Sequence, residues 1–247
     1  MDPLDNLNEP NINEPNIILP PSEIENYSNL EIRVRSAESR DALQVGSILA
    51  EAFPTLYTWT FGRLENEQIV RLLCSLYTAG SLSLATTRLA EQDGRIIGVA
   101  ILHLEGSIGQ GTWKNYWRVV RQELRLWISL RAFLGGMFAN FAITARIPTS
   151  PDLLYLEAIA VSAAFRGQGI GTVLLTDAEA WGRAIGRSRM ALHVLQRNTG
   201  ARRLYERFGF RLSQTEPLPA PKGSRRQQWV SLLMTRDDFS QRRPPSL

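Results

Sequence analysis

Few folds accommodate the stretch AFRGQGIGTVLL, residues 164–175. Upstream of it Leu153 to Val161 (LLYLEAIAV) forms an apolar run that reads as a buried strand. Downstream Ile170, Leu174, Ala178 and Trp181 fall on one helical face. Between them Gly167, Gly169 and Gly171 leave the backbone bare where the helix begins. Such a turn lets main-chain amides face a ligand without Cβ atoms in the way, and a helix N-terminus favours negative charge. The chain is expected to hold an anion there, on a sheet with helices packed against it.

Two familiar phosphate loops do not fit. A dinucleotide-binding loop wants G-x-G-x-x-G directly after a strand. Here the spacing is G-x-G-x-G, and Ser162 to Phe165 separate Val161 from Arg166. A nucleoside-triphosphate loop needs G-K-[ST], and Gly171-Thr172 has no lysine.

The rest of the chain alternates between the two periods. LEIRVRS (30–36) is a short alternating strand, and Val45, Ile48, Leu49 and Ala52 mark a helix. A second helix is expected over about residues 64–79. SLSLATTRLAE and RIIGVAILHL flank Asp93-Gly94 and predict a β-hairpin. RMALHVL (189–195) reads as a strand, NTGARRLYERFGF as a helix closed by Gly209, and QQWVSLLMTR as the last clear strand. Residues 106–150 differ: Trp113, Trp117, Val120, Leu124 and Trp127 recur at helical spacing beside Lys114, Arg118, Arg121 and Arg125.

Charge is unevenly spread. The net charge is +4, yet residues 1–30 carry six acids and no Lys or Arg, which leaves +10 on the remainder. A basic body suits an anionic ligand. NEPNI occurs twice in succession at 8–12 and 13–17, and an Asn- and Pro-rich polar segment buries too little apolar surface to order itself. Residues 1–28 are expected to be a disordered acidic tail, residues 29–237 one domain, and residues 238–247 a flexible end. The single cysteine, Cys74, sits in an apolar helical setting and is expected to be an inert thiol. It leaves no internal disulfide, so a reducing, cytoplasmic setting is expected. No transmembrane segment is expected, since AFLGGMFANFAITA is bracketed by Arg131 and Arg146.

The residues around the glycine turn resemble the acyl-CoA loop of the GCN5-related N-acetyltransferase (GNAT) superfamily, Q/R-x-x-G-x-G/A. Arg166, Gly169 and Gly171 fill it. LHVLQRNTGARRLYERFGF is similar to the second signature, with Asn198, Ala201, Leu204, Tyr205, Gly209 and Phe210 at its spacing. The resemblance covers about residues 30–236 and implies a mixed α/β (α+β) domain. Its sheet would be six- to seven-stranded, twisted and mostly antiparallel, flanked by helices and splayed between the family's fourth and fifth strands, here 153–161 and 189–195.

It also implies an acetyl-CoA-dependent N-acetyltransferase, with acetyl-CoA as co-substrate and no metal. Amides of Gly167, Gln168, Gly169, Ile170, Gly171 and Thr172 would bind the pyrophosphate, with Arg166 adding charge. Ile159, Ala160 and Val161 would pair with the pantetheine arm, and the Ile159 amide would polarise the thioester carbonyl. Tyr205 matches the family's general acid; otherwise it is a phenol packed on a helix. Asn198 would contact the cofactor, cap its helix, or both. The base is open between His193, where N-terminal acetylating members carry Glu, and Glu157, a carboxylate inside an apolar strand. Each also reads as a packed or surface side chain, and His103 is expected to be structural.

Residues 106–150 depart from the family, whose third and fourth strands are joined by a short turn. Some small-molecule acetyltransferases, the puromycin-modifying type among them, look similar in carrying a helical insert there. Its apolar stripe could pack on the sheet, line the acceptor site or touch a membrane. The acceptor is an amine: a peptide N-terminus, a lysine or a small molecule. The resemblance leaves room for a homodimer. Two rivals stand beside this reading. One is a catalytically idle acyl-CoA-binding regulator. The other is a nucleic-acid binder, prompted by a basic set of 28 that is arginine except for Lys114 and Lys222. The arginines are scattered and no nucleic-acid motif accompanies them, so nucleic acid is not expected as a partner.

Overall fold

The structure, a computed structural model, describes residues 25–27, 32–62, 64–80, 82–104, 113–124, 126, 128–130, 133–134, 147–148, 150–218 and 230–237. The strands are β1 (Glu25–Tyr27), β2 (Ile32–Ser36), β3 (Thr87–Gln92), β4 (Arg95–His103), β5 (Leu153–Val161), β6 (Arg189–Leu195), β7 (Arg211–Pro217) and β8 (Val230–Arg236). The helices are α1 (Ala42–Ala52), α2 (Pro54–Phe61), α3 (Asn66–Thr78), α4 (Trp113–Glu123), α5 (Ile170–Ala184) and α6 (Thr199–Phe208).

The strands form one sheet in the order β1-β2-β3-β4-β5-β6-β8-β7. Every neighbouring pair is antiparallel except β5 and β6. The sheet thus has the expected mixed form, with one strand more than expected. The addition is β1, three residues from the stretch read as tail, paired with β2. The rest of 1–28, much of 106–150, and 238–247 lie outside the described residues.

Local chemistry sets the elements. Asp93 and Gly94 both take positive φ, 50° and 72°, the two-residue turn that matches strand twist in a hairpin. A capping box joins Glu65 and Gln68 at the start of α3. Along β5, Leu154 and Leu156 face one core while Tyr155 faces another. The first core packs α5 and α6 under the sheet through Leu174, Leu175 and Phe208. The opposite face of the N-terminal strands is covered by α1 to α4, with Val119, Val120 and Leu124 buried near Leu72 and Leu76. That part of the tryptophan-bearing segment is packing.

One pair in the sheet is parallel. β5 and β6 stay in register only from Leu153 with Arg189 to Leu156 with Leu192. Beyond those positions β5 remains paired with β4, and β6 with β8. The facing edges of 157–161 and 193–195 are left open toward each other. α5 is clamped to strands on both sides of this opening. Asp177 accepts two hydrogen bonds from Arg88 on β3 (2.7 and 2.8 Å), and Glu179 pairs with Arg236 on β8 at 2.5 Å.

Candidate active site

The glycine turn leads out of β5 through a single 3-10 turn, Ala163–Phe165. Gly167 and Gly169 have φ of 78° and 86°, in the left-handed region where a side chain costs energy. Nothing lies within 4 Å of where a Cβ at either would sit, so the turn is open on its outer side. Gly169 caps α5. The amides of Thr172 and Val173 return to the Gly169 carbonyl at 2.8 and 3.1 Å. The amide of Thr172, expected to face an anion, is therefore engaged in the first helical turn. Ile170 and Gly171 are the helix's leading donors, ahead of that first internal bond. Gly171 has a different reason to be glycine: a Cβ there would meet Leu204 Cδ2 at 2.8 Å, so it lets α6 approach α5.

Arg166 does not point freely outward. Its Nε donates to the Val161 carbonyl at 3.0 Å, and its guanidinium pairs with Glu51 of α1 at 3.3 Å. Glu51 also accepts the amide of Ala163 at 2.8 Å. One carboxylate thus ties the entrance of the turn to α1. No motif marks Glu51, and only the fold brings it there.

The opening between β5 and β6 begins next to this turn. Its β5 side is Glu157, Ala158, Ile159, Ala160 and Val161, of which Ile159 and Val161 pack on the α5 side. An extended acyl chain could pair with such an edge as an added strand would. The left-handed glycines, the helix N-terminus and the open edge together fit the phosphate and pantetheine parts of coenzyme A.

Tyr205 is buried on α6, edge-to-face with Phe210 at a 5.8 Å centroid separation. Burial pushes its phenol up to about 12, so it carries its proton at neutral pH. Asn198 caps α6, its side-chain oxygen accepting the Ala201 amide at 3.2 Å.

The two candidate bases share the sheet face opposite α5, but each has its own partner. His193 Nδ1 lies 3.0 Å from the Tyr155 hydroxyl. Glu157 is hydrogen-bonded to His103 Nε2, on β4. A bulge makes this contact: Leu102 pairs with Leu156 and Ile101 with Ala158, so Glu157 is the extra residue on β5. Tyr155, Tyr57 and Tyr77 lie within range of its charge. Burial chiefly raises their phenols, and the Glu157 charge adds to that in each. Sequence reasoning missed the His103 contact, because a bulge leaves no mark in strand alternation. Among the described residues, no three His, Cys, Asp or Glu side chains converge as a metal site would. Among them too, no helix is long and apolar enough to cross a membrane.

This sheet, opened beside a glycine turn, is the architecture of an acyl-CoA-dependent acyltransferase. The chain belongs to the acetyltransferase (GNAT) family, whose family model matches residues 47–210. It is 38% identical over 101 residues to N-alpha-acetyltransferase 40 of Saccharomyces cerevisiae, a match covering 34% of this chain and 35% of that protein. The match therefore spans about a third of that relative's length. In structure it resembles an N-acetyltransferase from Staphylococcus aureus Mu50, with TM-score 0.54, 16% identity, and coverage of 82% of this chain and 98% of that one. It also resembles yncA of Salmonella typhimurium, an assigned acetyltransferase solved with acetyl-CoA. There the TM-score is 0.50 and the identity 16%, over 87% of this chain and 98% of that one. At such identities these likenesses show the fold.

Proposed function

We propose that the chain is an acetyl-CoA-dependent N-acetyltransferase that passes the acetyl group directly to a primary amine, both substrates being bound together. The observation that carries this reading is the β5–β6 opening, with the glycine turn at one end and two candidate bases on one face of the sheet. Acetyl-CoA, when bound, supplies a thioester. The amides of Gly167 to Gly171 would take its pyrophosphate and the free edge of Ile159, Ala160 and Val161 its pantetheine arm. The Ile159 amide would donate to the thioester carbonyl oxygen. Glu157 or His193 would accept a proton from the incoming ammonium, freeing its lone pair. The Tyr205 hydroxyl would give its proton to the departing sulfur.

Among acceptors, a peptide N-terminus is favoured, because the curated relative is an N-alpha-acetyltransferase. A cytoplasmic setting agrees with a single, free cysteine. The second reading, an idle acyl-CoA-binding regulator, would bind the cofactor without turnover. Thiol release from acetyl-CoA tests both, with three acceptors compared: a peptide with a free N-terminus, the same peptide blocked at its N-terminus but bearing lysine, and a small arylalkylamine. The proposal expects release with the free N-terminus. Binding with no release from any acceptor would support the regulator instead.

A further inference from the structure

The chain has two histidines, and both stand on the sheet face that carries the candidate bases. β5 holds each through a different side chain. Tyr155 takes His193 through Nδ1, and Glu157 takes His103 through Nε2. In the β4–β5 ladder His103 lies opposite Tyr155, not Glu157. The bulge lets Glu157 lean back along the strand to reach it.

Resting on the acetyltransferase reading, we propose that Glu157 is the base and that His103 is its positioning partner, its Nε2–H donating to the carboxylate and holding it in place. The acceptor's ammonium N–H bond breaks and its proton passes to Glu157. The carboxylate becomes the neutral acid, still held by the His103 Nε2–H, and the nitrogen keeps the electron pair that attacks the acyl carbon. The proton leaves by the carboxylate side, since the Glu157 side chain is 43% exposed and that of His103 only 16%.

Among the described residues, the phenols of Tyr57 on α2, Tyr77 on α3 and Tyr155 on β5 lie within range of the Glu157 charge. Burial keeps all three protonated, so they supply no competing charge. On β6, His193 faces Tyr155 and is engaged there.

The test is a double-mutant cycle on the full chain, with the acceptor that gives thiol release. Glu157→Gln is expected to lower kcat by about 10²-fold or more, as loss of a base does. His103→Ala removes the Nε2–H donor and is expected to lower kcat by about 10-fold while the KM for acetyl-CoA stays within about 2-fold, and His103→Gln, whose amide can donate in its place, is expected to restore most of the loss. The double variant with His103→Ala should be no worse than Glu157→Gln alone, because His103 acts through Glu157. Losses that multiply would overturn the proposal and leave the acetyltransferase reading intact. No thiol release from the wild type with any amine would sink that reading, and this proposal with it.

A second measurement does not depend on turnover. With two histidines, their ring-proton NMR signals are assigned by removing each in turn. Glu157→Gln should move the His103 signals and leave those of His193 in place, and Tyr155→Phe should do the reverse. Unmoved His103 signals would show that the pair does not exist in solution, and the proposal would fall.

Discussion

Gly167, Gly169 and Gly171 sit within five residues, yet they answer different demands. The first two hold left-handed backbone, and the third makes room for Leu204. Gly169→Ala should destabilise the fold by about 1–2 kcal/mol, the cost of a side chain in that region, and should weaken acetyl-CoA binding together with it. Thermal unfolding and calorimetric titration would check the two effects. Glu51 predicts a cleaner split. Glu51→Ala frees both the Ala163 amide and Arg166, so the KM for acetyl-CoA should rise by roughly 10-fold. The KM for S-acetyl-pantetheine, which lacks the pyrophosphate, should not rise. Equal losses for both donors would mean that Glu51 serves the fold and not the turn. Tyr205 keeps its proton up to about pH 12. Tyr205→Phe should therefore bind acetyl-CoA normally yet lose about 10²-fold in kcat across the neutral range; unchanged turnover would remove Tyr205 as the acid.

Among the elements, α5 is tied by ion pairs to strands on either side of the splay. Arg88 and Asp177 are both buried, so Asp177→Ala would strand a guanidinium in the core at a cost of about 3–5 kcal/mol. Replacing both with apolar residues of similar size should restore most of that stability, measured by chemical unfolding. A third ionic link binds β2 to the turn before α1, where Arg35 grips Asp41 at 2.6 and 2.9 Å. The guanidinium holds the Asp41 carboxyl below its usual range. Its folded pKa being depressed, that stabilisation is full above about pH 4, the ordinary aspartate value, and is lost as pH falls through the folded value. Asp41→Asn should accordingly flatten the acid limb of the stability curve.

Legibility also divides by element. β3, β4, β5, β6 and α6 could be read because alternation, an Asp-Gly turn or a terminal glycine marks each. β7 could not: RLSQTEP is exposed along nearly its whole length, so no buried face writes a pattern into it. α2 was missed for a related reason. PTLYTWTF carries β-formers throughout, and what fixes its start is Pro54 in the first turn.

For the molecule as a whole, the fold was legible, and the elements of the proposed cofactor half could be read with it, since a strand, a glycine turn and a helix are contiguous in the chain. The acceptor half was not. His103, Glu157 and His193 come from three strands, and their pairing depends on a bulge and on where a parallel ladder stops. Neither has a local signature. The residue types were visible, but their partners were not.

The most direct measurement is thiol release from acetyl-CoA by the full chain, with a free-N-terminal peptide against its N-blocked copy, alongside thermal unfolding with acetyl-CoA. The geometry predicts stabilisation by acetyl-CoA, by about 2.7 kcal/mol at a hundred times the Kd, and release that requires the free amine. Absence of stabilisation at saturating acetyl-CoA, with no release from either peptide, would contradict the glycine turn as a coenzyme A site and the acetyl transfer built on it.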